Sequence, residues 1–464
     1  MFSIVISVAV TTWIAVMLFK KVYAPAVLMI GGLFLIVVAA LFSTGEVINP
    51  KWATGLEAFD IFEQIRRMFS TRTAGLGLQI MMIAGYSKYM EKLKASIVLC
   101  ELFASPLRRL KSPMLVFALA FIITQFLSMF VPSGAGMALL TMITFYPILI
   151  KVGLSRLTAL AVVASTRNFA WGPASPNANL AAQTINMDIT QYFVQFHTPF
   201  FLFLMVCMLV VHLFVQPYWD RKEGPDLEVQ KYVAQMEQEK DLPPLIYAVL
   251  PVLPLFLIIG CSPLFTNCFG LSYKIKMNVG NAMFICTFIA LFFEMLRLRS
   301  VKEALNNWKA YFEAMGKIFT LVVCLIVAGE VFARGLIVTG ALDTLIEAAK
   351  NAGLGGFAMT TAAGLITWVS AFLMGSGNAA FFSFSHMVPA LASGLHTDPA
   401  VMMVILDLYS CYGRTMSPIF GAIIAIAAMA GVSPFQISKR VMIPAIACGL
   451  LTMPFAYFYF GYGM

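Results

Sequence analysis

Charge is the scarcest ingredient of this 464-residue chain: 31 Lys+Arg and 22 Asp+Glu make up 11% of it, against roughly 25% in an ordinary soluble domain. A soluble chain of this length needs polar surface for two or three domains, and that surface is missing. The stretch 220–241 alone holds eleven of the charged residues, which leaves long runs with none. The eight cysteines include no CxxC pair and lie mostly in apolar runs, so they read as small buried hydrophobes and not as ligands or disulfide partners. His197, His212, His386 and His396 show no metal spacing, and no HExxH occurs, which argues against a membrane metalloprotease. The net charge of +9 is no nucleic-acid footprint, because the basic residues sit in short loops between apolar runs. Residues 1–19 lack a basic n-region and a small-residue cleavage motif, so they are expected to be a first span and not a cleaved signal. Together these absences exclude a soluble enzyme, a nucleic-acid-binding protein and a disordered chain.

Apolar and aromatic residues supply 60% of the sequence, arranged in runs long enough to cross about 30 Å of hydrocarbon. In the first half these are 1–19, 22–45, 73–89, 112–150, 157–187 and 189–219, with an amphipathic stretch near 52–72. After the charged stretch come 242–260, 277–293, 318–332, 351–397, 399–430 and 441–460, with an amphipathic stretch at 301–312. The order is the same in both halves, and matching dipeptides recur at nearly one shift. Ala84-Gly85 pairs with Ala328-Gly329, Ser133-Gly134 with Ser376-Gly377, Ser175-Pro176 with Ser417-Pro418, and Pro199 with Pro444. Two structural repeats are expected, 1–216 and 245–464, joined by a charged cytoplasmic linker at 217–244.

The overlong runs set the topology. Pro132-Ser-Gly-Ala-Gly136 interrupts 112–150, and Gly375-Ser-Gly-Asn378 interrupts 351–397. The remainder after each interruption suits a re-entrant arm better than a full span. Each run is read as a helical hairpin, about 112–150 and about 354–396; the alternative is two full spans with a tight turn. Five further crossings per repeat make the second copy inverted. With the N-terminus outside, nineteen Lys and Arg residues face inward and eight outward, in keeping with the positive-inside rule. The expected fold is an all-α polytopic membrane protein of two inverted repeats, each with five spans, one re-entrant hairpin and a helix broken at mid-membrane. Both termini are expected to face outward.

Inverted repeats carrying hairpins and broken helices are the pattern of an alternating-access secondary transporter. Gly-rich tips and breaks free backbone N–H groups to ligate an anion away from water. Candidate ligands are Ser133, Gly134 and Gly136 at the first tip, and Ser376, Gly377 and Asn378 at the second. Asn177 and Asn179 follow the first break; Arg414, Thr415 and Ser417 lie at the second. Arg414 is the sharpest, since a guanidinium between apolar stretches is costly unless paired or hydrated and its planar fork matches a carboxylate. The alternative is a structural pair with Asp407, seven residues earlier. Arg167 raises the same question beside the first break. Glu330 and Asp407 are candidate coupling sites for H+ or Na+, although Glu330 is four residues from Arg334 and reads more readily as a structural i,i+4 pair. No cofactor or nucleic acid is expected as a partner, only the bilayer and a small-molecule substrate.

The segments Met374-Gly-Ser-Gly-Asn-Ala-Ala380, Gly413-Arg-Thr-Met-Ser-Pro418 and Val432-Ser-Pro-Phe435, followed by Lys439-Arg440, resemble the anaerobic C4-dicarboxylate carriers of the DcuC/DcuD type. The likeness extends through 72–89 and Gly153-Leu-Ser-Arg156, and so over nearly the whole chain. It implies a carrier of the bacterial inner membrane that moves fumarate, succinate, malate or aspartate by exchange or efflux. It also implies an elevator-type transport domain sliding against a homodimeric scaffold. The first tip departs from the family pattern in lacking a second hydroxyl, and Arg167 and Asp407 stand outside that pattern. A cation-coupled carrier of another organic anion, a cation/proton antiporter, a channel and a membrane-embedded enzyme are the rival readings.

Overall fold

The computed structural model describes residues 2–20, 22–42, 48–224, 242–261 and 277–462. Of the linker expected at 217–244, residues 225–241 lie outside the described residues, as do Lys21, Lys231, Lys240, Lys274 and Lys276 of the charge comparison. Every regular element among the described residues is helical, as it must be where backbone groups meet no water and no barrel closes. Among the described residues, eight helices are long and apolar enough to cross a bilayer, including Ala24–Leu41, Val279–Leu298, Gly356–Met374 and Pro434–Phe460. Large apolar side chains crowd the outside: Phe458 is 80% exposed, Phe214 74% and Leu450 69%. Such a surface is an aggregation liability in water and is well solvated by acyl chains. The protein is a multi-pass membrane protein.

Some expected spans are shorter or divided. The run 157–187 forms two pieces, Arg156–Ser165 and Pro176–Thr184. The run 242–260 is cut into a 3-10 turn, Leu245–Val249, and a short helix, Leu253–Gly260. Pro243, Pro244, Pro251 and Pro254 cause this, since each lacks an N–H and crowds the preceding turn. The run 73–89 continues the amphipathic helix Glu57–Arg72 through a π-helical turn, Thr73–Gly77, into Leu78–Lys92. Val301–Ile318 does the same through Phe319–Val323 into Cys324–Val338.

Both overlong runs fold back. Pro113–Leu127 is followed by Gly134–Thr144 and Tyr146–Lys151; Gly356–Met374 is followed by Gly377–Ser385 and Val388–Leu395. Pro147 and Pro389 divide the returning arms at matching places. The local chemistry that starts and stops helices recurs along the chain. Capping oxygens at Ser133 and Ser376, and at Ser155 and Asp398, are 243 residues apart, and those at Asp188 and Ser433 are 245 apart. Residues forced to positive φ recur as well: Gly55 with Arg299, Lys94 with Gly340, Gly153 with His396, and Asn186 with Gly431.

Packing is reciprocal between the halves. Ala24–Leu41 lies along Cys324–Val338, and Val279–Leu298 lies along Leu78–Lys92. Gly134–Thr144 packs on Gly421–Ala430, while Gly377–Ser385 packs on Pro176–Thr184. Polar side chains gather where the sequence pattern places helix ends on one side. Arg440, 1% exposed, donates to Asp220 (2.7 Å) and Glu223 (2.5 Å), and Asp220 accepts from Ser155 and Thr158 at 2.8 Å each. Lys439 adds a 3.0 Å bond to Glu223. Ends expected on the opposite side are joined by Ser7 with Thr339 (3.3 Å) and Thr360 with Tyr462 (2.7 Å).

One close helix crossing depends on Gly32, where an added Cβ would stand 2.6 Å from the Phe332 backbone nitrogen. Backbone cannot yield as a side chain can, so Gly32→Val should cost about 1–3 kcal/mol through overpacking. Gly316→Ala, inside Val301–Ile318 with open space around it, should instead be neutral or stabilising by about 0.5–1 kcal/mol, the backbone-entropy cost of a helical glycine. Thermal denaturation of the two purified variants should give shifts of opposite or clearly unequal size.

Candidate functional site

Two helix interruptions, one in each half, are brought together. In the first, Arg156–Ser165 ends and the chain runs irregularly until Ser175 caps Pro176–Thr184. Gly172 adopts φ +105°, and a Cβ there would sit 2.5 Å from Met129 Cγ, so glycine is required on both counts. Trp171 stacks on Phe201 with ring centroids 3.4 Å apart and donates Nε1–H to the Gln125 carbonyl at 3.0 Å. Gln125 in turn donates to the Ser165 carbonyl at 2.8 Å. Asn179 closes the loop with bonds to the carbonyls of Pro173 (2.7 Å) and Ser175 (2.8 Å). This frame holds Arg167, 5% exposed, with one donor on the Ser128 carbonyl at 3.3 Å.

The second interruption ends Pro399–Met416 at Ser417-Pro418 and restarts at Gly421–Ala430. Arg414 lies in its last turn, also 5% exposed. Its guanidinium donates to Asn378 Oδ1 at 3.1 Å, to the Arg167 carbonyl at 3.0 Å and to Cys411 Sγ at 3.3 Å. Nε of both arginines has no hydrogen-bond partner among the described residues. Two buried arginines, joined through the Arg167 carbonyl, thus keep donors to spare. Arginine stays protonated at any accessible pH, and buried charge without a close counter-charge is expensive. Such an arrangement can accept an anion.

Asp407 is not the partner of Arg414. Its Oδ1 accepts from Asn177 Nδ2 at 2.6 Å and from the Cys411 thiol at 3.6 Å, and its Oδ2 has no hydrogen-bond partner among the described residues. The seven-residue spacing does place both on one helix, but the carboxylate is turned to the opposite interruption by the Asn177 amide. His197, fully buried, stands with Nε2 3.8 Å from Asp407 Oδ2. Nothing in the sequence singled out His197 from the other histidines, and its proximity arises from tertiary packing alone.

The tips differ in their relation to the arginines. Ser376 caps its own helix through Ala379 N–H at 3.3 Å, and Asn378 reaches Arg414. A Cβ on Gly377 would stand 2.7 Å from the Ser410 carbonyl oxygen and 2.9 Å from Arg414 Cδ, so glycine permits that approach. Ser133 caps Gly136 N–H at 3.1 Å, and Gly134 faces the Phe420 ring, whose centroid is 6.0 Å from the Arg414 guanidinium carbon. The first tip therefore meets Arg414 across an aromatic ring that the sequence gave no reason to single out. Thr415 spends its hydroxyl on the carbonyls of Cys411 (3.0 Å) and Tyr412 (3.2 Å) of its own helix. Ser417 Oγ is buried with no partner among the described residues. Glu330 lies elsewhere: Arg72, in place of the expected Arg334, grips it in a two-pronged pair at 2.6 and 2.9 Å. Among the described residues no group of three or more His, Cys, Asp or Glu is placed to hold a metal ion.

Comparison with known proteins places this chain in a family. The family model described as DcuC, C4-dicarboxylate anaerobic carrier, matches residues 2–459. The chain belongs to the DcuC family. Relatives include the "Anaerobic C4-dicarboxylate transporter DcuC" of Escherichia coli K12, 30% identical over 444 residues that cover 96% of this chain and 94% of that protein. A Vibrio cholerae protein named "Probable anaerobic C4-dicarboxylate transporter DcuC" is 30% identical over 454 residues, covering 98% and 96%. Among solved structures, the Alcanivorax borkumensis YdaH transporter superposes with a TM-score of 0.62 at 13% identity, covering 95% of this chain and 99% of that one. Neisseria gonorrhoeae MtrF, whose structure illuminates a class of antimetabolite efflux pumps, gives 0.59 at 15% identity, covering 95% and 96%. At those identities the likeness concerns the fold alone: the DcuC-family chain shares the architecture of known transporters.

In this family member the Asn177–Asp407 contact ties the two interruptions together. Removing the amide leaves a buried carboxylate short of a donor, so Asn177→Ala should cost about 1–3 kcal/mol. The cost should shrink in an Asp407→Asn background, and a double-mutant cycle on thermal stability should return a coupling of about 0.5–3 kcal/mol. Additive effects would show that the contact contributes nothing.

Proposed function

We propose that this protein is a secondary active transporter of C4-dicarboxylates such as fumarate, succinate, malate and aspartate, working by exchange or efflux through alternating access. The observation that carries this reading is the pair of buried arginines, 247 residues apart, with unpartnered N–H groups on both. A dicarboxylate carries two planar anions, and two guanidinium forks match them in number, charge and geometry. The names of the 30%-identical relatives point to the same substrate class. Asn378 and the glycine approach at Gly377 set the Arg414 fork. Ser133, Gly134, Gly136, Ser376 and Ser417 are assigned supporting positions around the anion, and Thr415 a place on the helix that carries it. No cofactor takes part.

The two halves are read as inverted repeats, 1–216 and 245–464, with their interrupted helices meeting at mid-membrane. The recurring caps, the recurring positive-φ residues and the reciprocal packing support this. So does the pairing of helix ends: Arg440, Asp220, Glu223 and Ser155 gather on one side, Ser7 with Thr339 and Thr360 with Tyr462 on the other. The positive-inside count assigns the first group to the cytoplasm of a bacterial inner membrane, and both termini to the periplasm. An open crevice of about 390 Å³, whose lining includes Gln79, Asn179, Gln183, Asp188 and Asn281 among apolar residues, lies beside Pro176–Thr184 and offers access from the periplasmic side. The hairpins and interrupted helices form the moving unit of an elevator, and the family resemblance supplies the homodimeric scaffold.

Proteoliposomes holding unlabelled succinate should take up labelled succinate by counterflow. Truncating one member of a buried charge contact costs about 2–5 kcal/mol, so Arg414→Ala or Arg167→Ala should reduce counterflow at low substrate by about 30-fold or more. Arg414→Lys, which keeps the charge and loses the fork, should recover only part of it. Saturable counterflow unchanged in Arg414→Ala would remove Arg414 from the site, and ohmic current without counterflow would sink the carrier reading.

A further inference from the structure

We propose that a cleft between the first helix and the second hairpin is a binding site for one acyl chain of a bilayer phospholipid. The cleft, of about 650 Å³, is walled by Phe2–Phe19, Cys324–Val338, Ala341–Asn351 and the hairpin helices Gly356–Met374, Gly377–Ser385 and Val388–Leu395. It shares no residue with the arginine site. Its hydroxyls offer little to water: those of Thr11, Thr12, Thr344 and Ser383 bond to carbonyls one turn earlier at 2.7–2.8 Å, and Ser7 pairs with Thr339. Among the described residues, no lining side chain holds a buried polar atom without a partner. A buried water needs about two to four polar partners, so this is no water chamber. An empty cavity is costly in proportion to its volume, and at this size the cost would exceed the stability margin of an ordinary domain. Apolar atoms must fill it.

Shape and setting identify those atoms. Met359, Ala363, Ile366, Ser370 and Met374 form one stripe along Gly356–Met374, about 22 Å long at the helical rise. That is long enough for the ~15 Å depth of one hydrocarbon leaflet. The stripe ends beside the second tip and starts near Ala341–Asn351, the short helix that precedes it. That helix buries Leu342 and Ile346 and exposes Asp343, Glu347 and Lys350, the pattern of a helix lying at headgroup level. The mouth opens onto the bilayer-facing surface, where Val8 is 58% exposed and Ile366 55%. Phe2–Phe19 and Gly356–Met374 touch there only over a short length. A helix of a second copy fits poorly, because this volume holds only about one and a half turns of a helix 10 Å across. It equals the share of about twenty water molecules, and a methylene is nearly that size, so one tail of about sixteen to eighteen carbons fits.

The test uses the full-length protein in vesicles of palmitoyl-oleoyl phosphatidylethanolamine and phosphatidylglycerol, re-extracted in mild detergent, washed and weighed by native mass spectrometry. The wild type should retain one phospholipid per chain. Ala15→Phe combined with Ala363→Phe fills the cleft and should abolish that retention. Val369→Phe, on the bilayer-facing side of the same helix, should leave it intact. A second arm needs no variant: a phospholipid carrying a diazirine at the end of one tail should label Phe332 and Leu336, which line the cleft and are 3% and 8% exposed. A folded wild type that retains no phospholipid, equal retention in the filled variant, or labelling confined to outward residues such as Leu365 and Val369 would each overturn the site. So would a dimer that carries no phospholipid and falls apart in the filled variant, which would give the cleft to a second copy. If the filled variant does not fold, the labelling pattern decides alone.

Discussion

Two guanidiniums buried against each other constrain everything around them. Neither can shed its proton, and neither can leave, because each is wedged in a helix interruption held by other side chains. Arg414 is fixed by Asn378 and by the backbone carbonyl of Arg167, so its position depends on the other arginine's main chain. Asp407 lies within electrostatic reach of both and yet is turned toward Asn177. The fold holds an excess of positive charge where hydration is poor, and the proposed substrate anion would relieve it. The glycine at 377 and the Trp171–Phe201 stack lie beside that pair.

The surrounding architecture achieves this by using each device twice. Serine and aspartate oxygens start corresponding helices, left-handed residues end corresponding turns, and prolines divide the returning arms at matching positions. The short helix after each interruption is covered by the opposite half's hairpin arm. Close approach without side chains makes this possible: at Gly329 a Cβ would stand 2.7 Å from the Phe382 carbonyl oxygen, where one helix of the outer pair meets the second hairpin. Small residues let apolar helices pack tightly where lipid gives no hydrophobic drive to do so.

Much of the helical order was legible in the sequence because hydropathy, glycine and proline act locally. The fold-back points at Ser133 and Ser376, and the interruptions near 172–177 and 413–418, appear where helix-breaking residues concentrate in apolar runs. Arg414 and Arg167 were visible for the same reason, as charges with nowhere polar to go. Partnerships across the fold were not. Glu330 has Arg334 one turn away in sequence and binds Arg72, 258 residues distant, because the π-helical turn at Thr73–Gly77 brings Arg72 to it. His197 and Phe420 carry no pattern at all; a lone histidine or phenylalanine in an apolar run acquires meaning only from what packs beside it. Thr415 shows the converse: next to an important residue in sequence, its hydroxyl faces back along its own helix.

Likeness of fold leaves the cargo open. The architecture is shared, at 13–15% identity, with a transporter of unusual topology and with an antimetabolite efflux pump, so helix arrangement alone selects no substrate. Selection falls to the few side chains whose placement is electrostatically costly. One buried arginine would be relieved by a monoanion; two adjacent ones with a single, diverted carboxylate leave room for more negative charge than a monocarboxylate brings. On the proposed reading, substrate class is a matter of charge balance among Arg167, Arg414 and Asp407.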